Sequence, residues 1–200
     1  MGKAPTRIPK KTNSIDKKNR ILDAGYYLVC ENGYESLTTP QIANKAEVSV
    51  GTLYAYFSDK KAVMLEALEI FSKPILFPIY EIIEKTEIKD NNIEPAIKKF
   101  LKTTYDFRKM TRRSYENIIG MIHSDEDFLK IYVEMEQQYN KDIVEWFEKN
   151  GISKENLNEK VFIINKLINS YADVSTYNSN ADIDIDKLSN SIIEIINSLF

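Results

Sequence analysis

The chain has 200 residues, 43% of them hydrophobic and 28% charged, with a formal net charge of −3. That composition sustains a buried core and excludes a wholly disordered chain. Apolar stretches such as Val161 to Ile164 and Ile192 to Ile196 fall far short of the ~20 residues that cross a bilayer. The lone Cys30 allows no internal disulfide, and no signal-peptide-like stretch opens the chain, so a cytoplasmic location with no membrane partner is expected.

Residues 1–13, with Pro5, Pro9 and scattered lysines, lack any apolar period and are expected to form a flexible basic arm. Within residues 1–20 seven basic side chains face Asp16 alone, a net charge of +6. The balance is +3 over residues 1–73 and −6 over 74–200. A basic front on an acidic body suits a protein whose one end meets a polyanion. From Ser14 the pattern becomes helical, through Ile21, Leu22, Ala24, Gly25 and Leu28, and stops at Asn32-Gly33. Thr39 offers a helix cap followed by Pro40, and Ser49 and Ser58 offer the next two. After a break at Pro74 and Pro78, helices are expected near 79–88, 94–109, 113–123, 125–149, 154–177 and 184–199. Asn150-Gly151 provides a stop, Ser153 a cap, and residues 178–181 a polar turn. No strand-like alternation occurs, so the fold class is all-α. The expected domains are the arm (1–13), a helix-turn-helix domain with its linking helix (14–73), and a ligand-binding and dimerisation domain (74–200).

The informative window runs from Thr38 to Lys60. Two helices of about two turns, joined by a short turn, have the layout of a helix-turn-helix. Ile42, Ala43, Ala46, Val48, Leu53 and Phe57 supply its small core. The second helix is left showing Ser49, Val50, Gly51, Thr52, Tyr54 and Tyr56, a nearly uncharged face suited to double-stranded DNA. Ser49 and Thr52 can donate to phosphates or base edges, and Val50 can meet a thymine methyl. Gly51 permits close backbone approach, while Tyr54, Tyr56 and Lys60 reach the sugar-phosphate backbone.

The run from about Lys18 to Ala67 resembles the TetR family of transcriptional regulators. The resemblance rests on Ile21-Leu22-Asp23-Ala24, Asn32-Gly33-Tyr34, Leu37-Thr38-Thr39, Gln41-Ile42-Ala43, Val48-Ser49, Gly51-Thr52-Leu53-Tyr54, Tyr56-Phe57 and Lys60. It covers about a quarter of the chain. It implies an all-helical homodimer, with a three-helix DNA-binding domain followed by a ligand-binding helical bundle. It also implies that Thr39, Ser49, Val50, Gly51, Thr52, Tyr54, Tyr56 and Lys60 occupy DNA-facing positions. Family members usually carry Gly where this chain has Glu47; if that turn needs a left-handed residue, glutamate costs about 1 kcal/mol there.

The second half carries no comparable signature. Tyr105, Tyr115, Ile119, His123, Tyr139 and Tyr171 are candidates to line a cavity for a small-molecule effector, where apolar and hydrogen-bonding atoms converge. Val161, Ile164, Leu167, Ile168 and Tyr171 form one apolar stripe, with Phe162 and Ile163 beyond it, and Leu188, Ile192, Ile195, Ile196 and Leu199 form another. Together they are expected to build an intermolecular four-helix bundle between two copies. Enzyme chemistry is not expected. One His and one Cys allow no zinc cluster and argue against Cys–His or Ser–His nucleophiles. No phosphate-binding glycine pattern occurs, and no cofactor is indicated. Asp182, Asp184 and Asp186 start like a calcium loop, but Lys187 and Ile193 stand where its glycine and closing glutamate belong. The expected function is a DNA-binding repressor released from a palindromic operator by a small, partly apolar ligand. The alternative is an architectural or partner-protein-controlled DNA-binding protein without such an effector.

Overall fold

The computed structural model describes residues 10–83, 85–90, 92–177 and 183–200. Residues 1–9 of the expected arm, the turn at 178–181 and Asp182 lie outside them. The described residues form helices α1 (Lys10–Asn32), α2 (Thr39–Lys45), α3 (Val50–Tyr54), α4 (Lys60–Phe71), α5 (Lys73–Leu76), α6 (Tyr80–Ile83), α7 (Glu94–Ser124), α8 (Glu126–Lys149), α9 (Leu157–Tyr177) and α10 (Ile185–Asn197). No strand occurs among them, and no helix is long and apolar enough to cross a membrane. The first helix begins at Lys10, inside the stretch expected to be an arm.

Two compact units emerge, and they are not contiguous in sequence. The first takes residues up to Ser72 together with Asn117–Ile131, the end of α7 and the start of α8. Its core gathers Ile21, Leu22, Ile42, Leu53, Val63, Met64 and Leu68 with Ile118, Ile122 and Phe128. Helix α1 crosses α4 at Gly25, where a Cβ would come within 2.9 Å of Val63 Cγ1, so the crossing needs a glycine. Residues 117–131 are tied in by polar groups as well. Asn117 Nδ2 donates to the Cys30 carbonyl at 2.9 Å. Tyr34 meets Phe128 edge-on at 5.1 Å. The Lys61 ammonium of α4 lies 2.8 Å from Asp125 and 2.6 Å from Asp127. Asp125 and Asp127, at the start of α8, thereby tie that helix to α4.

The second unit comprises Lys73–Glu116 and Tyr132–Phe200. Trp146 is its hub. The indole packs on Phe100 at 5.4 Å and Phe147 at 4.9 Å, and its N–H donates to the Thr86 carbonyl at 2.9 Å. The expected stop at Asn150-Gly151 is present. Gly151 has φ +83, its N–H bonds Glu148 O, and Ile152 N–H bonds back to Phe147 O, the paired closure of a Schellman motif.

Two sequence expectations change here. The helices expected at 94–109 and 113–123 are one helix, α7, interrupted only by Thr111 (φ −107, ψ 15). The Thr111 hydroxyl donates to the Phe107 carbonyl at 2.8 Å, a back-bond that bends a helix without ending it. The apolar stripes assigned to a dimer are largely consumed within one chain. Val161, Ile164, Ile168, Tyr171, Ile192 and Ile196 are buried, and Leu167, Leu188 and Leu199 are half-buried. What α9 and α10 leave outward is Phe162 (50% exposed), Ile163 (42%) and Ile195 (49%). Periodicity identifies an apolar face but not the surface that covers it.

Candidate nucleic-acid interface

The helix-turn-helix is built by local capping. Thr38, rather than Thr39, caps α2: Gln41 N–H donates to Thr38 Oγ1, and Thr38 N–H donates to Gln41 Oε1 at 2.9 Å, a complete capping box. Ser49 caps α3, accepting from Thr52 N–H at 3.1 Å, and its hydroxyl also meets Thr52 Oγ1 at 2.8 Å. Helix α4 is capped by Asp59, which accepts from Ala62 N–H at 2.8 Å, and not by Ser58.

Between α2 and α3 the chain turns through a second Schellman closure. Glu47 N–H bonds Asn44 O and Val48 N–H bonds Ala43 O. Its left-handed residue is Glu47 at φ +54, where α8 uses glycine. The Glu47 carboxylate points to Arg20 at 3.6 Å but stays 84% exposed, too wet for that ion pair to offset much strain.

The residues expected to face DNA divide into three groups. Ser49, Val50, Gly51 and Tyr54 are exposed on α3 and its cap. Among the described residues a Cβ on Gly51 would meet only Ser49 Oγ, at 4.0 Å, so none of them requires a glycine there. Thr39, Thr52 and Tyr56 are half-buried; Thr39 Oγ1 and Tyr54 OH lie 3.1 Å apart, linking the start of α2 to the end of α3. Lys60 is engaged internally: its ammonium donates to the Tyr34 carbonyl at 3.1 Å and sits 4.4 Å from that ring's centroid. One basic residue escaped the sequence reading. Lys45, the only Lys or Arg of residues 38–59, is exposed and lies 4.0 Å over the Tyr27 ring. Lys61 and Asp125 stabilise each other's charge, their hydrogen bond raising the lysine's pKa and holding the carboxyl below the usual carboxylate range.

Of the six residues expected to line a ligand cavity, Tyr105, Tyr115, Tyr139 and Tyr171 belong to the second unit. Tyr105 and Tyr171 pair at 6.2 Å, and Tyr115 lies under the Arg108 guanidinium at 3.4 Å. Tyr139 is buried in another cluster, 4.7 Å from Phe77 and 5.1 Å from Tyr80, and that burial pushes its hydroxyl pKa up. Ile119 and the exposed His123 belong to the first compact unit. The second unit has a cleft of about 480 Å³ lined by Tyr80, Ile83, Thr86, Asp142, Trp146 and Asn150 among others. It also contains a buried polar seam that the sequence reading missed. Arg108 of α7, 2% exposed, meets Asn169 and Asp173 of α9, and Thr104, one turn earlier, is equally buried. The signal was a four-residue polar spacing on both helices, at 104/108 and 165/169/173. Among the described residues no group of three or more His, Cys, Asp or Glu gathers as a metal site would require.

Residues 21–67 match the family model of bacterial regulatory proteins, tetR family. Over 190 residues the chain is 24% identical to the uncharacterized HTH-type transcriptional regulator YerO of Bacillus subtilis (strain 168), covering 92% of this chain and 64% of that protein. Over 53 residues it is 42% identical to the HTH-type transcriptional repressor KstR of Rhodococcus jostii (strain RHA1), covering 26% of this chain and 25% of the repressor. The chain thus spans under two thirds of the length of these relatives. A TetR-family regulator structure from Mesorhizobium loti superposes with a TM-score of 0.69 at 14% identity, over 93% of this chain and 97% of that one, a likeness of fold. The capped α2–turn–α3 unit thus lies inside the stretch that matches the tetR family of bacterial regulatory proteins.

Proposed function

We propose that the chain is a DNA-binding transcriptional regulator, a repressor that leaves a palindromic operator when a small, partly apolar ligand enters its second unit. The observation that carries the DNA reading is Gly51. It is exposed on α3, in a helix that glycine weakens, and no atom of the described residues needs the space its missing Cβ leaves. A partner that approaches the backbone closely accounts for it, and the capped N-terminus of α3 offers that partner N–H groups and partial positive charge. Thr39, Ser49, Val50, Thr52, Tyr54 and Tyr56 surround this point, with Lys45 as a further phosphate contact. Lys60 joins only after leaving Tyr34.

Two copies would read two half-sites about 34–36 Å apart, one turn of duplex. Pairing is assigned to the outward Phe162, Ile163 and Ile195 of α9 and α10. The route from ligand to DNA is assigned to residues 117–131. They belong to helices α7 and α8, yet hold Cys30, Tyr34 and Lys61 of the first unit. A ligand acts by binding one state of that corner better than the other. Footprinting on the DNA upstream of the chain's own gene, repeated with extracts of host metabolites, tests the reading. A protected palindrome that one extract releases is expected; no protection at low salt overturns it.

A further inference from the structure

Arg108 is the feature of the second unit that ordinary packing explains least. Its side chain is 1% exposed, and its guanidinium, which cannot be deprotonated, is balanced by Asp173, whose side chain is 45% exposed. Among the described residues, Asp173 and Asn169 (the latter at 3.1 Å) engage two of its five N–H groups. One face lies 3.4 Å over the Tyr115 ring. One turn earlier on α7 the Thr104 hydroxyl is buried and has no hydrogen-bond partner among the described residues. An unmatched donor beside a buried guanidinium is the arrangement that two oxygens of one anion would complete. Tyr105 and Tyr171, 6.2 Å apart, add aromatic surface.

Resting on the regulator reading above, we propose that the ligand is a small carboxylate with an apolar body, its oxygens held by Arg108 and Thr104 in place of Asp173. A cation is disfavoured because the fixed, water-excluded charge is positive, whereas the negative one is free to turn toward solvent. Burial holds the Asp173 carboxyl above the usual carboxylate range although Arg108 pulls the other way. The internal partner is thus poorly stabilised as an anion and is the one to yield.

The test titrates the full chain with benzoate and hexanoate against benzamide, hexanamide and choline, followed by calorimetry and by Trp146 fluorescence. The acids are expected to bind at least roughly tenfold more tightly than the amides, as a charge-assisted pair requires. Asp173→Asn, which weakens the internal rival, is expected to tighten acid binding several-fold. Thr104→Val is expected to weaken acid binding several-fold without lowering the melting temperature, because it removes a buried hydroxyl that has no partner. Arg108→Gln is expected to abolish the discrimination; if it fails to fold, the two other variants decide. Equal binding of acids and amides, no acid binding at millimolar concentration, preference for choline, or weaker acid binding by Asp173→Asn overturns the proposal. Footprinting in parallel separates the failures. Intact operator protection without acid preference defeats this inference alone, and absence of protection defeats the regulator reading itself.

Discussion

Glu47 and Gly151 occupy equivalent places in two closures of the same kind, at φ +54 and φ +83. For glycine that backbone is free, while for glutamate it costs about 1 kcal/mol. The exposed pair with Arg20 returns between about 0 and 1 kcal/mol. Glu47→Gly is therefore expected to raise the melting temperature by up to about 4 °C for a chain of this size; a calorimetric scan showing no change or a fall contradicts the strain. Gly51 offers the opposite test. An alanine Cβ there meets only Ser49 Oγ at 4.0 Å, so Gly51→Ala is expected to hold or raise stability by up to about 1 kcal/mol. DNA affinity is expected to fall at least roughly tenfold if the backbone lies against the duplex, as a lost charge-assisted phosphate contact would imply. Thermal melts beside fluorescence anisotropy on operator DNA separate the two effects, and undiminished affinity removes Gly51 from the contact.

Helix ends set by a cap or a glycine stop were legible to within a residue, whereas α1 begins four residues before Ser14, α9 begins three after 154, and the helix expected at 79–88 is only Tyr80–Ile83. Thr38 and Thr39 are both competent caps, but a glutamine three residues after Thr38 completes the reciprocal box that Thr39 cannot form. Thr38→Ala is expected to destabilise the fold by about 1 kcal/mol, read as a lower urea midpoint at unchanged slope; Thr39→Ala, which loses the contact with Tyr54 instead, is expected to cost less. The expected division of α7 fails for a different reason. Met110-Thr111-Arg112 contains no glycine or proline, and a threonine back-bond kinks the helix without stopping it. Arg108, one turn before that kink, was passed over because a charged residue on a long helix is ordinarily solvated. Only the facing polar residues of α9 make its burial tolerable.

For the molecule as a whole, pairing of two copies is the property most open to test. If Phe162 and Ile195 form the contact, the double variant Phe162→Glu with Ile195→Glu is expected to sediment as a monomer with its helical content intact. Its operator affinity is expected to drop by at least roughly a hundredfold, since the two half-sites are no longer read together; a dimer that survives moves the interface elsewhere. The sequence by itself determined the all-helical class, the helix-turn-helix and the exposed face of α3. Each of these follows from interactions within a few residues: apolar period, capping side chains and turn chemistry. Only the tertiary structure decided that residues 117–131 join the first unit, that the stripes of α9 and α10 are mostly buried at home, that Lys60 is held by Tyr34, and that Arg108 lies inside. These depend on which surface meets which across 26 to 87 positions of chain, as in Lys60 with Tyr34 or Asn117 with Cys30. Periodicity shows that a face must be covered; only packing chooses its partner.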